Sequence, residues 1–310
     1  MNIIFASTLD LDDDAWINPL QAAIPSARIH AWSDQGASVG AELAIAWNPP
    51  QNLFQREPGI KAVFNLGAGV DALFRLPGLG ADVSVVRVED AGMAVQMAEY
   101  AVYALVRASR NFDEYERLQK QKRWEPQPDI QRSKWPVGVL GMGVMGTRVA
   151  QTIAGLDYPV AGWSRSGKDL SGVQKFAGMD ELPAFLARTR VLINTLPLTD
   201  ETRGILRRET LRQLQPGAYL ISMGRGGHLV EEDLQPLLDS GHLLGATLDV
   251  FQQEPLPEDH PFWSDPRITI TPHVAAASLR EETIEQVSDK INRYLRGEPL
   301  TGVVARDKGY

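Results

Sequence analysis

Residues 137–146 read VGVLGMGVMG, and the reading of this stretch decides the fold. The run VGVL has the shortness and β-branched content of a buried parallel strand. It leads directly into Gly141, Gly143 and Gly146, which stand in GxGxxG spacing, and TRVAQTIAGL behind them reads as a helix. Strand, glycine turn and helix in that order make the unit on which a dinucleotide rests its pyrophosphate. Gly141 permits the tight turn, Gly143 lets the main chain approach the phosphates, and Gly146 lets the helix pack on the strand, its N-terminus facing the anion. Met142, Val144 and Met145 complete the turn and count with the glycines as cofactor-binding residues. A ligand-free βα turn is the competing reading, and a second strand at VAGW (160–163) weighs against it.

Downstream, YPVAGWSR (158–165), RVLINTLPL (190–198), AYLISMG (218–224), LLGATLDVF (243–251) and RITITPHVA (267–275) are short β-rich runs, candidates for one parallel sheet. Upstream, NIIFAS (2–7), ARIHAW (27–32), AELAIAW (41–47) and IKAVFNL (60–66) alternate with polar or Pro/Gly-rich stretches, the rhythm of a smaller α/β domain. After the last strand, SLREETIEQVSDKINRYLRGE (278–298) has helical spacing, with Ser278 as expected cap and Gly297 as expected stop. That helix is expected to return to the first domain and make it discontinuous. The expected fold is therefore α/β, with two Rossmann-like domains built on doubly wound parallel sheets. Residues 1–97 with 278–310 form the substrate domain, 98–277 the dinucleotide-binding domain, and the active site is expected in the cleft between them.

Composition excludes several function classes. At 310 residues, 44% hydrophobic and 23% charged, the chain suits a soluble globular protein of two domains. Its net charge of -8, with 39 acidic and 31 basic residues and no basic block, argues against a nucleic-acid partner. Cysteine is absent, which removes disulfides, thiolate metal sites and a cysteine nucleophile. No compact His/Asp/Glu cluster suggests a metal either. The start, MNIIFASTLD, has no basic leader, and no apolar run reaches the ~20 residues of a membrane span. A mature, cytoplasmic protein with no membrane partner is expected.

The residues at the end of the VAGW strand select the dinucleotide. A binder of NAD usually places an acidic residue there for the ribose 2'-hydroxyl, whereas this chain has Ser164, Arg165 and Ser166, with Lys168 close by. A guanidinium and hydroxyls suit a 2'-phosphate, so NADPH is the expected cofactor and NADH the less favoured one. A solvated loop cation is the competing reading of Arg165.

Three later strand ends each present a polar residue on the edge where open α/β sheets build sites: Arg225, Glu254 and His273. Reduction of a 2-oxo acid requires a proton donor at the developing alkoxide and a cation for the carbonyl and carboxylate. His273 suits the donor, because an adjacent carboxylate such as Glu254 favours its protonated form. Arg225 suits the cation, since only a guanidinium grips a carboxylate through two parallel hydrogen bonds. Taken singly each has a bland reading, and their joint occurrence at strand ends carries the inference. His30, His228, His242 and His260 lack such a context and are read as structural or surface residues.

With these residues in view, the chain resembles the D-isomer-specific 2-hydroxyacid dehydrogenase family. The resemblance runs in order through GMGVMG, NTLPLTDETRGIL, SMGRGGHLVEEDL, GATLDVFQQEPLP and TPHVAAAS, from about Trp135 to Ala277. It implies an Arg/Glu/His catalytic set at Arg225, Glu254 and His273. It further implies that Leu196, Pro197 and Thr199 border the cofactor, that Ser222, Met223 and Gly224 lie beside it, and that Asp249 contacts the nicotinamide side. In the first domain NLGAGVDAL resembles the family loop whose amides receive the substrate carboxylate, implicating Leu66, Gly67, Ala68 and Gly69. Asn48 in AWNPP is a further substrate contact by the same resemblance, with a turn-forming asparagine as its competing reading.

Two departures stand out. The family often carries asparagine where Ser222 stands, and VAAAS after His273 leaves the shape above the substrate untransferred. Within the family, Arg165 and the chain length resemble the glyoxylate/hydroxypyruvate reductases. This implies NADPH-dependent reduction of glyoxylate or hydroxypyruvate to glycolate or glycerate, in a homodimer paired through the apolar segment around Met97–Val106. The alternative from another class is a non-catalytic dinucleotide sensor of the same fold that binds protein partners. A β-hydroxyacid dehydrogenase fits poorly, because such chains open with the glycine turn and rely on a lysine.

Overall fold

The computed structural model describes residues 1–9 and 11–305, so residues 306–310 of the expected substrate domain lie outside the described residues. The chain divides into two compact units, Met1–Gly92 with the segment from Ala277 onward, and Met93–Ala276.

The first unit holds β1 (Asn2–Ser7), β2 (Arg28–Ala31), β3 (Leu43–Trp47), β4 (Ala62–Asn65) and β5 (Ser84–Arg87) in one parallel sheet of order β2-β1-β3-β4-β5. Alternate residues serve opposite faces, as the two-residue strand period requires. Ile3, Phe5, Leu43, Ile45 and Phe64 pack with Leu20 of helix Asp13–Ala23, with Ile24 just past its end, and with Val287 and Ile291 of helix Arg280–Leu295. Ile4, Ala44, Val63 and Val85 pack on the other side with Leu53, Phe54, Val70 and Leu73. Burial on both faces explains why these strands read as continuous apolar runs. Helix Arg280–Leu295 thus belongs to the first unit although it follows the second in sequence. Leu279 takes its N-cap position, one residue beyond the expected Ser278. Gly297, at φ +69°, ends it as expected, its N–H donating to Tyr294 O and that of Glu298 to Arg293 O.

The second unit holds β6 (Val137–Leu140), β7 (Val160–Ser164), β8 (Val173–Ala177), β9 (Val191–Asn194), β10 (Ala218–Ser222), β11 (Leu243–Leu248) and β12 (Ile268–Ile270). All pair in parallel, in the order β12-β11-β10-β9-β6-β7-β8. The strand order reverses between β6 and β9, and that switch point opens a crevice at the carboxyl ends of the strands. Helix Met93–Ser109 lies wholly in this unit, so the boundary expected at 97/98 falls inside it. Its Ala98, Ala101, Ala104 and Ala108 permit close packing on helix Val144–Ala154, where Val149, Ala150 and Ile153 share one core with them. Among the described residues no helix is long and apolar enough to cross a membrane.

Candidate active site

Every site residue that the sequence places in the second unit lies at or just beyond the carboxyl end of one of its strands. The glycine turn follows β6 and stands beside the switch point. Gly141 has φ +94°, which admits the turn, and its N–H donates to Trp163 O at the end of β7. A Cβ on Gly146 would lie 1.8 Å from Gly141 O, so the helix reaches the turn only because this residue has no side chain. A Cβ on Gly143 would meet nothing within 4 Å. This open side is where the turn offers its main chain. Gly143 is the N-cap of helix Val144–Ala154 with no side-chain cap bond, so the first-turn amides keep their donors for an anion. Thr195, just past β9, donates its hydroxyl to Leu140 O and Gly141 O, 3.0 Å each, and ties the two strands of the switch point together. The residues present therefore fit a dinucleotide pyrophosphate.

Beyond β7, Ser164 is half-buried and Arg165 and Ser166 are exposed. Arg165 lies 3.7 Å from the Glu201 carboxylate, and Lys168 Nζ donates to Thr147 Oγ1 in the first turn of the glycine-turn helix at 3.0 Å. Two cations and two hydroxyls thus flank the turn on the β7 side, a set suited to a phosphate. Leu196, Pro197 and Thr199 follow β9. Leu196 N–H donates to Asn194 Oδ1, and Pro197 O accepts from Thr202 Oγ1 at 2.7 Å. Ser222 and Met223, at the end of β10, are buried, and Ser222 Oγ accepts from Asn194 Nδ2.

The His273–Glu254 pair expected from the sequence is formed. His273 Nδ1 and Glu254 Oε2 are 2.7 Å apart, and Glu254 Oε1 accepts from Phe251 N–H at 2.9 Å. The hydrogen bond to Glu254 raises the His273 pKa above its ordinary value against the opposing pull of burial, with the Glu254 charge adding to the rise and the Arg225 charge opposing it. Burial pushes the Glu254 carboxyl up, but hydrogen bonds from His273 and Phe251 and the charges of His273 and Arg225 leave it below its ordinary value. Each partner thus favours the charged form of the other, an imidazolium beside a carboxylate, and the contact to Glu254 engages Nδ1 rather than Nε2. Arg225, three residues past β10, is half-buried, and its guanidinium donates to Gly224 O at 2.8 Å. Its loop is bound to the Glu254 loop through Gln252, whose N–H meets Glu231 Oε1 and whose side chain donates to Leu229 O.

His273 itself has φ +56°, an uncommon conformation for a residue with a Cβ. Its N–H donates to Asp249 O, and the buried Asp249 carboxylate accepts from Thr271 Oγ1, Val274 N–H and Ala275 N–H at 2.6, 2.8 and 2.9 Å. Asp249 thereby holds the chain on both sides of the histidine. Tyr100 extends this network to Thr271 at 2.6 Å, and burial pushes its hydroxyl pKa well above the ordinary value.

In the first unit, β4 runs into Leu66–Gly69. Asn65 donates its side-chain amide to Gly67 O and Gly69 O at 2.9 Å each, and Arg87 donates to Ala68 O at 3.3 Å. With the carbonyls turned inward, the amides of Gly67, Ala68 and Gly69 have no partner among the described residues. The Trp47 ring lies against Gly67, where a Cβ would come within 2.2 Å of it. Asn48, exposed at the end of β3 with φ +44°, gives its carbonyl to Thr8.

The family profile described as "D-isomer specific 2-hydroxyacid dehydrogenase, NAD binding domain" matches residues 102–275. The chain belongs to the D-isomer-specific 2-hydroxyacid dehydrogenase family. Among its relatives, the glyoxylate/hydroxypyruvate reductases A of Escherichia fergusonii and Yersinia enterocolitica are each 44% identical to it, over all of this chain and all of theirs. A D-isomer-specific 2-hydroxyacid dehydrogenase of Xanthobacter autotrophicus, solved with NADPH, has a TM-score of 0.93 at 37% identity, covering 100% of this chain and 99% of that one. The NADPH-dependent glyoxylate/hydroxypyruvate reductase of Sinorhizobium meliloti, solved with NADP and sulfate, has a TM-score of 0.91 at 35% identity with the same coverage.

For a member of this dehydrogenase family the sequence reading missed a supporting set. Asn65, Arg87, Asn194, Thr195 and His228 aim or brace the residues it did find. Asn194 and His228 stand inside the segments NTLPLTDETRGIL and SMGRGGHLVEEDL, so their neighbourhood was visible but their partners, 34 residues apart, were not. His228, read from sequence as structural or surface, is fully buried.

Proposed function

We propose that this dehydrogenase reduces a small 2-oxo acid, with glyoxylate and hydroxypyruvate as leading substrates, to the 2-hydroxy acid, using NADPH in preference to NADH. The single observation that carries the reading is the His273–Glu254 pair at 2.7 Å, with Arg225 close enough to pull on both pKa values. The bound cofactor would lie on Gly141–Gly146 with its 2'-phosphate toward Ser164, Arg165 and Ser166, bordered by Leu196, Pro197, Thr199, Ser222, Met223 and Gly224, and it supplies the hydride. His273 Nε2–H donates a proton to the developing alkoxide. Glu254 retains the charged imidazolium beforehand and orients the ring through Nδ1. Arg225 grips the substrate carboxylate and polarises the neighbouring carbonyl, a charge-assisted contact worth about 1.5–3 kcal/mol. Asp249 holds the His273 loop, and its expected contact on the nicotinamide side belongs to the same reading. In the first unit, the unpaired amides of Gly67–Gly69 suit a carboxylate, with Leu66 and Asn48 as accompanying substrate-side residues.

A homodimer and a cytoplasmic location complete the proposal. The dimer is supported by Val95, Tyr103 and Phe112, large apolar side chains left exposed on helices Met93–Ser109 and Phe112–Lys120.

The test is optical: oxidation of NADPH and of NADH against glyoxylate, hydroxypyruvate, pyruvate and bulkier 2-oxo acids. Turnover of the two small acids with NADPH preferred is expected. Preference for a branched acid overturns the substrate, and preference for NADH overturns the cofactor. Absence of turnover with every 2-oxo acid, with NADPH still bound, would favour a sensor instead.

A further inference from the structure

We propose that the buried His228 is a positioning residue that sets two parts of the site at once, the main chain at Arg225 through Nδ1 and the cofactor-bordering loop at Pro197 through Nε2. The inference rests on the reading of Arg225 and Leu196–Thr199 given above. Its own basis is the hydrogen-bond geometry of a ring with no exposed surface.

His228 Nδ1 lies 3.1 Å from Arg225 N and 3.1 Å from Asn194 Nδ2. The first is a main-chain N–H and can only donate. The second is assigned as the amide nitrogen by its neighbours: Asn194 Oδ1 accepts from Leu196 N–H at 3.2 Å, and Nδ2 donates to Ser222 Oγ at 3.3 Å. Two donors converging on Nδ1 require a lone pair there. The ring proton is then on Nε2, which lies 3.2 Å from Pro197 O and donates to it. The neutral Nε2–H tautomer is the one form that satisfies all three contacts. A buried polar group held this way is costly to disturb, because each lost bond leaves a partner unsatisfied out of reach of water.

The consequence is geometric. Arg225 starts the turn after β10, and Pro197 belongs to the loop after β9. Main-chain bonds already run between these segments, Leu206 N–H to His228 O and Gly204 N–H to Gly227 O, both 2.9 Å. Those bonds fix the outer part of the two loops. At the inner part, next to Arg225 and Pro197, the imidazole is the link. Its two nitrogens face different loops, so the two positioning roles are separable by substitution. His228→Asn keeps a carbonyl oxygen near the place of Nδ1 and loses the donor to Pro197. His228→Gln reaches the place of Nε2 with an amide N–H and loses the acceptor for Arg225 N–H.

The experiment compares the parent with His228→Asn, His228→Gln and His228→Ala by kcat and KM for the 2-oxo acid, by NADPH affinity from fluorescence titration without substrate, and by thermal unfolding. His228→Asn should keep kcat within a few-fold and bind NADPH roughly tenfold more weakly. His228→Gln should show the converse, near-parental NADPH affinity with kcat down roughly ten- to a hundredfold. Three variants that lose kcat and affinity together in proportion to their melting temperature would overturn the proposal in favour of a purely structural histidine. Parental values throughout would overturn it too. Should the variants fail to fold, nitrogen-15 spectra of the parent decide: an Nε2–H tautomer is expected for the buried ring, and an Nδ1–H or charged ring sinks the scheme. Arg225→Gln is the control for the underlying reading. If it turns over normally, the role of Arg225 fails; if it is inactive while the His228 variants are parental, only the present inference fails.

Discussion

The two sheets share an architecture and differ in what they present at their carboxyl edges. In the first unit, the loop after β4 offers main-chain amides, its carbonyls drawn inward by the buried side chain of Asn65 and by Arg87. In the second, the loops after β10, β11 and β12 offer an arginine and a glutamate–histidine pair in which the carboxylate raises the imidazole pKa and the imidazole lowers that of the carboxyl. Amides have fixed partial charge and no titration, which suits holding an anion at any pH. Titrating side chains suit proton transfer and make it sensitive to pH. On the proposed reading, the first unit contributes only fixed main-chain donors to the substrate, while every titrating group of the reaction, with Arg225 as a second anion contact, comes from the second.

The sharpest way to break this contrast is on the second sheet. His273→Ala should lower kcat by roughly 10²- to 10⁴-fold with NADPH affinity retained. A drop under tenfold in steady-state assays would remove the histidine from the proton step. Arg225→Lys keeps the charge and loses the fork, and should cost roughly ten- to a hundredfold in kcat/KM; an unchanged value would mean that no bidentate contact exists.

On the first sheet the effect should fall on binding. Gly67→Ala puts a methyl against the Trp47 ring, so the loop must shift. We expect KM for the 2-oxo acid to rise up to about tenfold with kcat nearly constant, which corresponds to ~1.4 kcal/mol. A fall in kcat at unchanged KM would contradict the division of labour.

Glu254→Gln sharpens the contrast through pH. With His273 as the proposed proton donor, the rate of reduction should fall as pH rises through a pKa that Glu254 holds above the ordinary histidine value. Removing the carboxylate removes the dominant raising contact, so that limb should move to lower pH. A limb that stays in place would assign the ionisation elsewhere. The smallest effect is expected at Glu201→Gln: the exposed pair with Arg165 at 3.7 Å is worth at most about 1 kcal/mol. NADPH affinity should rise by no more than about fivefold, and a loss of affinity would argue against Arg165 as the phosphate ligand.

What the sequence made legible follows from range. The glycine turn and the polar residues Arg225, Glu254 and His273 after short apolar runs are local patterns that the residues themselves displayed, whereas Ser222 and Asp249 were reached only through the family resemblance. β5 (SVVR) and β8 (VQKFA) escaped notice because their apolar content is too short to stand out, two buried residues in β5 and one in β8. Asn65, Asn194 and His228 escaped for another reason. A buried polar residue declares its role only through partners that folding brings in, such as Pro197 for His228, 31 residues away. The cap expected at Ser278 shows the limit of local chemistry: the main chain bends one residue later, where Leu279 N–H is held by Ala91 O.

The left-handed backbone of His273 sets stability against activity at a single position. A side chain there carries the steric cost of that conformation, about 1–2 kcal/mol, and the fold tolerates it. Glycine would remove the cost and the proposed proton donor together. His273→Gly should therefore melt higher than His273→Ala, with both expected to lose activity alike, and a reversed order would mean that the surrounding loop relaxes once the ring is gone. Were thermal stability the sole criterion for choosing a residue at this site, the imidazole would not be the choice.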